Sequence, residues 1–283
     1  MLNGCAYILT VDVGNTFIRF GLFAEDSAAA QECPLATCEI TTPSSITADE
    51  ARMRLAQVMG ALSADAGMPG ALVPAAAVLS CVVPALERPW KAALSRTCTG
   101  RVLTVGPGLK TGMPVHYDDP AEIGPDRIAD AVAARAVYGS PCIVIDLGTT
   151  TNIEVIDARG TFVGGVIAPG LALGARSLSA AAARLPQVEP SAPTHVIGRN
   201  TREAMRSGVV LGEVARIDGM LDMVLAEMRA TKAAGEGSVP IVITGDDAEA
   251  LAALVGHSLT VDDALTLRGL AELYHINQKP RRA

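Results

Sequence analysis

Two similar α/β domains are the fold this sequence predicts, and three observations predict it. The phrase "ILTVDVGNTFIRFGLF" at 8–23 returns in outline as "IVIDLGTTTNIEVID" at 143–157. Asp12 then matches Asp146, Gly14 matches Gly148 and Thr16 matches Thr150, about half a chain apart, a period too long for a solenoid. Each copy also heads its own run of strand-like segments followed by alternating helix-like and strand-like segments, the pattern of an α/β domain. Finally, 283 residues are enough for two domains, each with its own core.

The elements follow in order. Residues 7–13 and 17–24 read as a hairpin and 35–41 as a third strand. "SSITADEARMRLAQVMGAL" is a helix capped by Thr47 or Ser45, with Leu55, Val58, Met59 and Leu62 on one face. "AAVLSCVVP" is a buried strand, "ALERPWKAALSRT" a helix and "RVLTVG" a strand. "GPDRIADAVAARAVYG" is a helix that starts at Pro125 and is ended by Gly139. The second half opens with its hairpin at 142–157 and an added strand at 161–166. Helical stretches at 170–184 and 201–230 follow, then the strand "VPIVITGD", a helix at 246–255 and a last helix near 264–275. The boundary falls near 139–141, giving domains 1–139 and 140–283.

Composition narrows the function. Charged residues make up 19% and hydrophobic ones 49%, a globular balance. With a net charge of −7 and no basic run beyond the terminal "KPRRA", a nucleic-acid partner is not expected. An anionic ligand would instead need a metal ion, backbone N–H groups or a few arginines. The six cysteines form no C-x-x-C pair and the four histidines stand far apart, so the cysteines read as small apolar residues of a reducing cytoplasm. The N-terminus has no basic start and does not read as a signal peptide. The uncharged stretch 69–86 is broken by Pro69, Pro74 and Pro84, so no membrane span is expected.

The repeated phrase has a chemistry of its own. A glycine in a tight strand-to-strand turn lets backbone N–H groups approach a ligand with no Cβ in the way. Asn15, Thr16 and Thr149–Thr151 add short side chains able to donate to phosphate oxygens. An aspartate at the end of an apolar strand projects a carboxylate toward the same place, where it can hold a hydrated divalent ion. One copy could be turn chemistry alone; two copies heading two halves point to a phosphate clamp. At 124–127, Pro125 suits the first helical position, so Asp126 falls in the first turn. There it either complements the helix dipole or, kept ionised by the helix start, serves as a general base. Arg127 offers a planar fork for a carboxylate or is a surface charge. Thr201 reads as an N-cap before "REAMRSG", and Asp246 as the cap of the helix beginning "DDAEALAAL".

Taken in order, "DVGNT" at 12–16, "YDDPAEIGPDR" at 117–127, "DLGTTT" at 146–151, "GGVIAPGL" at 164–171, "ARLP" at 183–186, "IGRNT" at 197–201 and "LTLRGL" at 265–270 resemble the motif series of the type III pantothenate kinases. That family lies in the acetate and sugar kinase, Hsp70 and actin superfamily. The resemblance runs nearly end to end. It implies two ribonuclease H-like, actin-like ATPase domains with the active site in the cleft between them. It also implies an ATP-dependent phosphorylation of pantothenate to 4′-phosphopantothenate, the first step towards coenzyme A.

By the same resemblance, Asp126 is the general base. Asp12, Val13, Gly14, Asn15, Thr16, Phe17, Ile18, Arg19 and Thr149 match nucleotide contacts, and Tyr117, Gly124, Pro125, Asp126, Arg127 and Thr201 match the pantothenate site. Asp146 matches a monovalent-cation ligand, for K⁺ or NH₄⁺, and Asp12 is a candidate for Mg²⁺ through water. The implied partners are ATP with Mg²⁺, pantothenate and a second copy of the chain in a cytoplasmic homodimer. Phe17 stands where family members usually carry Asn or His, Thr150 where Ala is usual, Asn152 where Thr is usual, and "TGD" at 244–246 replaces Thr-Gly-Gly. These departures bear on nucleotide affinity rather than on fold. Two alternatives stand beside the kinase reading: another phosphotransferase or phosphohydrolase of the superfamily, such as a sugar kinase or polyphosphatase, and a nucleotide-binding regulatory relative without transfer activity.

Overall fold

The computed structural model describes residues 6–26, 32–68 and 72–278. The chain divides into two compact units, Met1–Gly139 with Ala264–Ala283, and Ser140–Asp263. The chain passes from the first unit to the second at 139/140, and the last helix, expected in the domain 140–283, packs in the first unit.

In the first unit β1 (Tyr7–Val13), β2 (Phe17–Ala24) and β3 (Ala36–Thr41) form an antiparallel meander. β4 (Ala76–Cys81) lies parallel to β1, and β5 (Val102–Thr104) parallel to β4, so the sheet order is β3-β2-β1-β4-β5. β1 is buried along its whole length, so both its faces are covered. Leu9, Val11 and Val13 join Leu55, Leu62 and Trp90 in one core, which contains α1 (Ala48–Asp65) and α2 (Pro84–Thr97). Period-two alternation sends Ile8, Thr10 and Asp12 to the opposite face. α3 (Pro125–Tyr138) and α8 (Leu265–Ile276) belong to that other layer; α8 packs on β1, β4 and α3, and its Leu267 and Ala271 cluster with Phe23. Thr47 caps α1 in a full capping box with Glu50, which decides between the two expected caps.

The second unit repeats the plan. β6 (Cys142–Leu147), β7 (Thr150–Ile156) and β8 (Phe162–Pro169) are antiparallel, with β9 (Ile241–Gly245) and a short β10 (Thr260–Val261) added in parallel, in the order β10-β9-β6-β7-β8. Read outward from the first strand of each unit, both sheets have the same topology, that of a ribonuclease H-like domain. Ile143, Ile145 and Leu147 pack with Val214, Ile217 and Leu221 of α6 (Gly212–Ala230). The stretch expected to be one helix over 201–230 is α5 (Thr201–Arg206), a π-helical turn at Ser207–Leu211 and α6. α4 is shorter than expected, Leu171–Ala181, and β8 runs on to Pro169. The helix expected at 246–255 contracts to α7 (Ala248–Ala252). None of the described helices is long and apolar enough to cross a membrane.

Candidate active site

In the first unit the site is built on Asp12 and Asp126. The strand registers place Arg19 of β2 opposite Asp12 and Ser80 of β4 beside it. Asp12 is only 7% exposed, and its Oδ1 is buried without a hydrogen-bond partner. Burial pushes its acid up to about 6, the negative charge of Asp126 adds to the rise, and Ser80 and Arg19 oppose it. Ser80 Oγ also lacks a hydrogen bond of ordinary geometry, so its help is that of a nearby dipole.

Asp126 comes from the first turn of α3. Gly124 is the N-cap, Pro125 the first helical residue, and Asp126 Oδ1 accepts a hydrogen bond from the Arg127 N–H at 2.8 Å. A Cβ on Gly124 would stand 2.4 Å from that same Oδ1, so the glycine makes room for the carboxylate. Burial raises the Asp126 acid above its ordinary value, and the Arg127 hydrogen bond and charge oppose that rise. A carboxylate shifted upward is a better proton acceptor once ionised. Arg127 is 5% exposed and is therefore not a surface charge. Tyr117 is half-buried in the segment before α3.

The turn between β1 and β2 is closed by the Gly14 N–H donating to Phe17 O at 3.0 Å. Thr42 holds it from behind, its hydroxyl on Gly14 O at 2.8 Å and its N–H on Thr16 O at 2.9 Å. Asn15 and Thr16 are exposed at the tip, whereas Val13 and Ile18 are fully buried and paired with each other, so the structure does not bring these two to the surface of the turn. The Arg19 guanidinium lies 6.0 Å from the half-buried Phe17 ring, and its Nε pairs with Glu39 at 2.9 Å.

An apolar cavity of about 540 Å³ adjoins this site, lined by Val105, Leu109, Met113, Ile123, Ile128 and Pro125, the residue before Asp126. Its volume is that of a small-molecule pocket. One wall is the segment "VGPGLKTGMPV", whose single ionisable side chain is that of Lys110; its glycines and prolines mark it as a turn-rich loop and give no sign of a pocket.

In the second unit Asp146 stands opposite Asn152 of β7 and beside Thr244 of β9. Gly245, with φ +91°, lies so close that a Cβ would be 2.1 Å from Leu147 O and 2.8 Å from Asp146 Oδ1. Gly170 approaches the turn in the same way, where a Cβ would meet Gly148 O at 2.2 Å and Thr149 O at 2.8 Å. Thr149 is half-buried, and its carbonyl accepts from the Gly170 N–H at 3.1 Å. A buttress unseen in the sequence stands behind the hairpin. The Thr151 hydroxyl donates to Glu213 at 2.6 Å, Glu213 pairs with Arg216, and Arg216 donates to Pro169 O at 2.6 Å. A glutamate inside the apolar run "GVVLGEVARI" was the signal available.

Two expected caps are corrected here. Asn200 is the N-cap of α5, its Oδ1 accepting from the Glu203 N–H at 3.0 Å, and Thr201 is the exposed first helical residue. Asp247, not Asp246, occupies the N-cap of α7, in the left-handed region and with no side-chain capping bond. The Asp246 N–H instead donates to Leu147 O at 2.6 Å, which ties it beside the Gly148 turn.

No group of three or more His, Cys, Asp or Glu side chains among the described residues could by itself enclose a metal ion. Asp12 nevertheless fits a hydrated Mg²⁺ that keeps most of its waters and takes phosphate oxygens as ligands, because its buried Oδ1 has no other partner and faces further negative charge.

The family model described as type III pantothenate kinase matches residues 8–223. The chain belongs to the type III pantothenate kinase family. Relatives bearing that family name include one from Koribacter versatilis, 37% identical over 279 residues and covering 97% of both chains. Another, from Nocardia farcinica, is 39% identical over 284 residues, covering 97% of this chain and 99% of its own. "Type III pantothenate kinase 2" of Symbiobacterium thermophilum is 39% identical over 274 residues, covering 96% of this chain and 97% of its own. Among solved structures, a conserved Campylobacter jejuni protein aligns with a TM-score of 0.56 at 18% identity, covering 95% of this chain and 98% of its own. The ethanolamine utilization protein EutJ of Carboxydothermus hydrogenoformans aligns at 0.53 and 16% identity, covering 94% of this chain and 89% of its own. At those identities the likeness is one of fold. The two-domain fold read from the sequence is thus the fold of a type III pantothenate kinase.

Proposed function

We propose that this chain transfers the γ-phosphoryl group of ATP to the primary hydroxyl of pantothenate, with Asp126 as general base, giving 4′-phosphopantothenate. The observation that carries the base assignment is the pair of carboxylates in the first unit. Asp126 is half-buried at a helix start, next to the buried Arg127 and near enough to Asp12 to raise its acid. Asp126 accepts the hydroxyl proton as the oxygen attacks phosphorus, and catalysis is otherwise positioning and charge stabilisation.

With the Gly14 N–H taken by Phe17 O, the exposed Asn15 and Thr16 at the tip are the candidates to donate to phosphate oxygens. Asp12 is positioned to orient waters of an ATP-bound Mg²⁺, which when bound would supply charge neutralisation. Arg127 is the candidate for the pantothenate carboxylate and Tyr117 a lining residue. The apolar cavity suits the two methyl groups that pantothenate carries next to its reacting end. In the second unit Thr149 is assigned to the nucleotide, Thr201 to pantothenate, and Asp146, cradled by Gly245, to a monovalent cation such as K⁺ or NH₄⁺. The homodimer and the cytoplasmic location rest on the family resemblance alone.

A coupled ADP-release assay comparing pantothenate with a panel of sugars tests the reading. Turnover confined to pantothenate is expected. Preferential turnover of a sugar would replace it with a sugar kinase, and absence of turnover on every acceptor would make the chain a regulatory relative.

A further inference from the structure

Helix α8 holds both walls of the apolar cavity without lining it. One wall is the start of α3, with Pro125 and Ile128; the other is the 105–115 segment, with Val105, Leu109, Met113 and Val115. Against α3, α8 packs so closely at Gly269 that a Cβ there would lie 1.9 Å from Ala129 O. Against the other wall it ends in Asn277, which closes a reciprocal pair with the backbone of Lys110. The Lys110 N–H donates to Asn277 Oδ1 at 3.2 Å, and Asn277 Nδ2 donates to Lys110 O at 2.8 Å. The same Nδ2 donates to Leu273 O at 2.8 Å, which fixes the amide to the helix itself. Arg101, just before β5, donates to Asn277 O. Two residues past Lys110, Gly112 has φ +71° and leaves room for Ile276, which a Cβ would approach to 2.9 Å. Arg135 of α3 donates to Gly112 O at 2.6 Å, so the two walls are also joined directly.

We propose that α8 sets the width of the acceptor pocket, with Asn277 as the positioning residue that clasps the 105–115 wall at a fixed distance from the helix bearing Asp126. This rests on the assignment of the cavity to pantothenate made above. An amide donating to and accepting from the backbone of one residue fixes the two peptide units that flank it, as a strand partner would. Its loss lets the wall sample conformations in which the cavity is misshapen, and substrate affinity falls by the fraction of time the competent form is lost. The chemistry at Asp126 is untouched once substrate is bound.

The test is a comparison of kinetic constants in the full-length enzyme. Asn277→Ala, which removes two hydrogen bonds to the wall, is expected to raise KM for pantothenate about five- to tenfold, with kcat and KM for ATP within about twofold of wild type. Asn277→Asp, isosteric but unable to donate to Lys110 O, should move the same constant in the same direction. Gly112→Ala, which presses the wall off Ile276 without touching the clasp, should do so too and serves where an Asn277 variant does not fold. A lowered melting temperature with all three constants unchanged would overturn the proposal and leave Asn277 a merely structural residue. Ala121→Trp, placed in the cavity lining, separates this outcome from failure of the pocket assignment. If it raises KM for pantothenate while the Asn277 variants do not, the clasp proposal alone falls. If it leaves that KM unchanged, the pocket assignment falls and the clasp's role goes with it.

Discussion

Asp12 and Asp146 are each the next-to-last residue of the first strand of a five-stranded sheet, and each has a hydroxyl residue beside it on the neighbouring parallel strand, Ser80 and Thr244. Beyond that point the two hairpins part. The first leaves Gly14 to Phe17 between the paired Val13 and Ile18, and the second leaves only Gly148 to Thr150 between Leu147 and Thr151. The shorter turn changes what faces the aspartate, which is Arg19 in the first hairpin and Asn152 in the second. The first carboxylate is buried with a second carboxylate near it and a cation opposite; the second is half-buried against an amide and a glycine backbone. One sequence phrase therefore yields two electrostatic sites. On the assignments proposed above, the first would take a hydrated divalent ion with phosphates and the second a singly charged cation held by oxygens.

Asp12→Asn should separate the two sites most strongly. Acting through metal-bound water, Asp12 is expected to be worth about 10–100-fold in activity. The same substitution should stabilise the ligand-free fold. The folded acid of Asp12 stands at about 6, above its value of 3.8 when unperturbed, so burial favours the protonated form. That contribution is fully present below about pH 4 and is lost as pH rises through 6. Asp12→Asn should therefore melt higher than wild type at pH 8, with the advantage fading toward pH 4. A variant that melts lower at pH 8 would contradict the burial argument.

A smaller effect is expected at the second hairpin. With Asp146 as a monovalent-cation ligand, activity should fall when sodium replaces potassium or ammonium, since cavity size and oxygen donors rather than charge set the preference. Equal rates in matched sodium and potassium buffers would remove the distinction between the two aspartates. The smallest effect concerns Asp246, tied by its backbone to Leu147 beside the Gly148 turn. An added carboxylate near phosphates repels them even when partly screened. Asp246→Gly is expected to lower KM for ATP more than KM for pantothenate. A shift confined to pantothenate would place the nucleotide elsewhere.

The repeat, the succession of strands and helices along the chain, and the bounds of α1 and α3 were legible because they rest on local chemistry: alternation in β1, Pro125 and Gly139 bounding α3, and Thr47 with Glu50 at α1. What was not legible depends on partners distant in sequence. The packing of α8 in the first unit rests on Gly269 meeting Ala129, a close approach that periodicity cannot register. Ser80 beside Asp12, and Asn152 opposite Asp146, are facts of register. The burial that raises the Asp126 acid, against one hydrogen bond and one arginine, likewise comes from packing that the local sequence does not show. The caps at Asn200 and Asp247 show the usual one-residue uncertainty of helix starts.

The central claim is that Asp126 takes the proton from pantothenate's hydroxyl, and the turnover of Asp126→Asn on pantothenate, measured by coupled ADP release with ATP affinity determined in parallel, tests it most directly. A fall of about 100-fold or more with ATP affinity retained is predicted; turnover near that of the wild type would contradict the assignment.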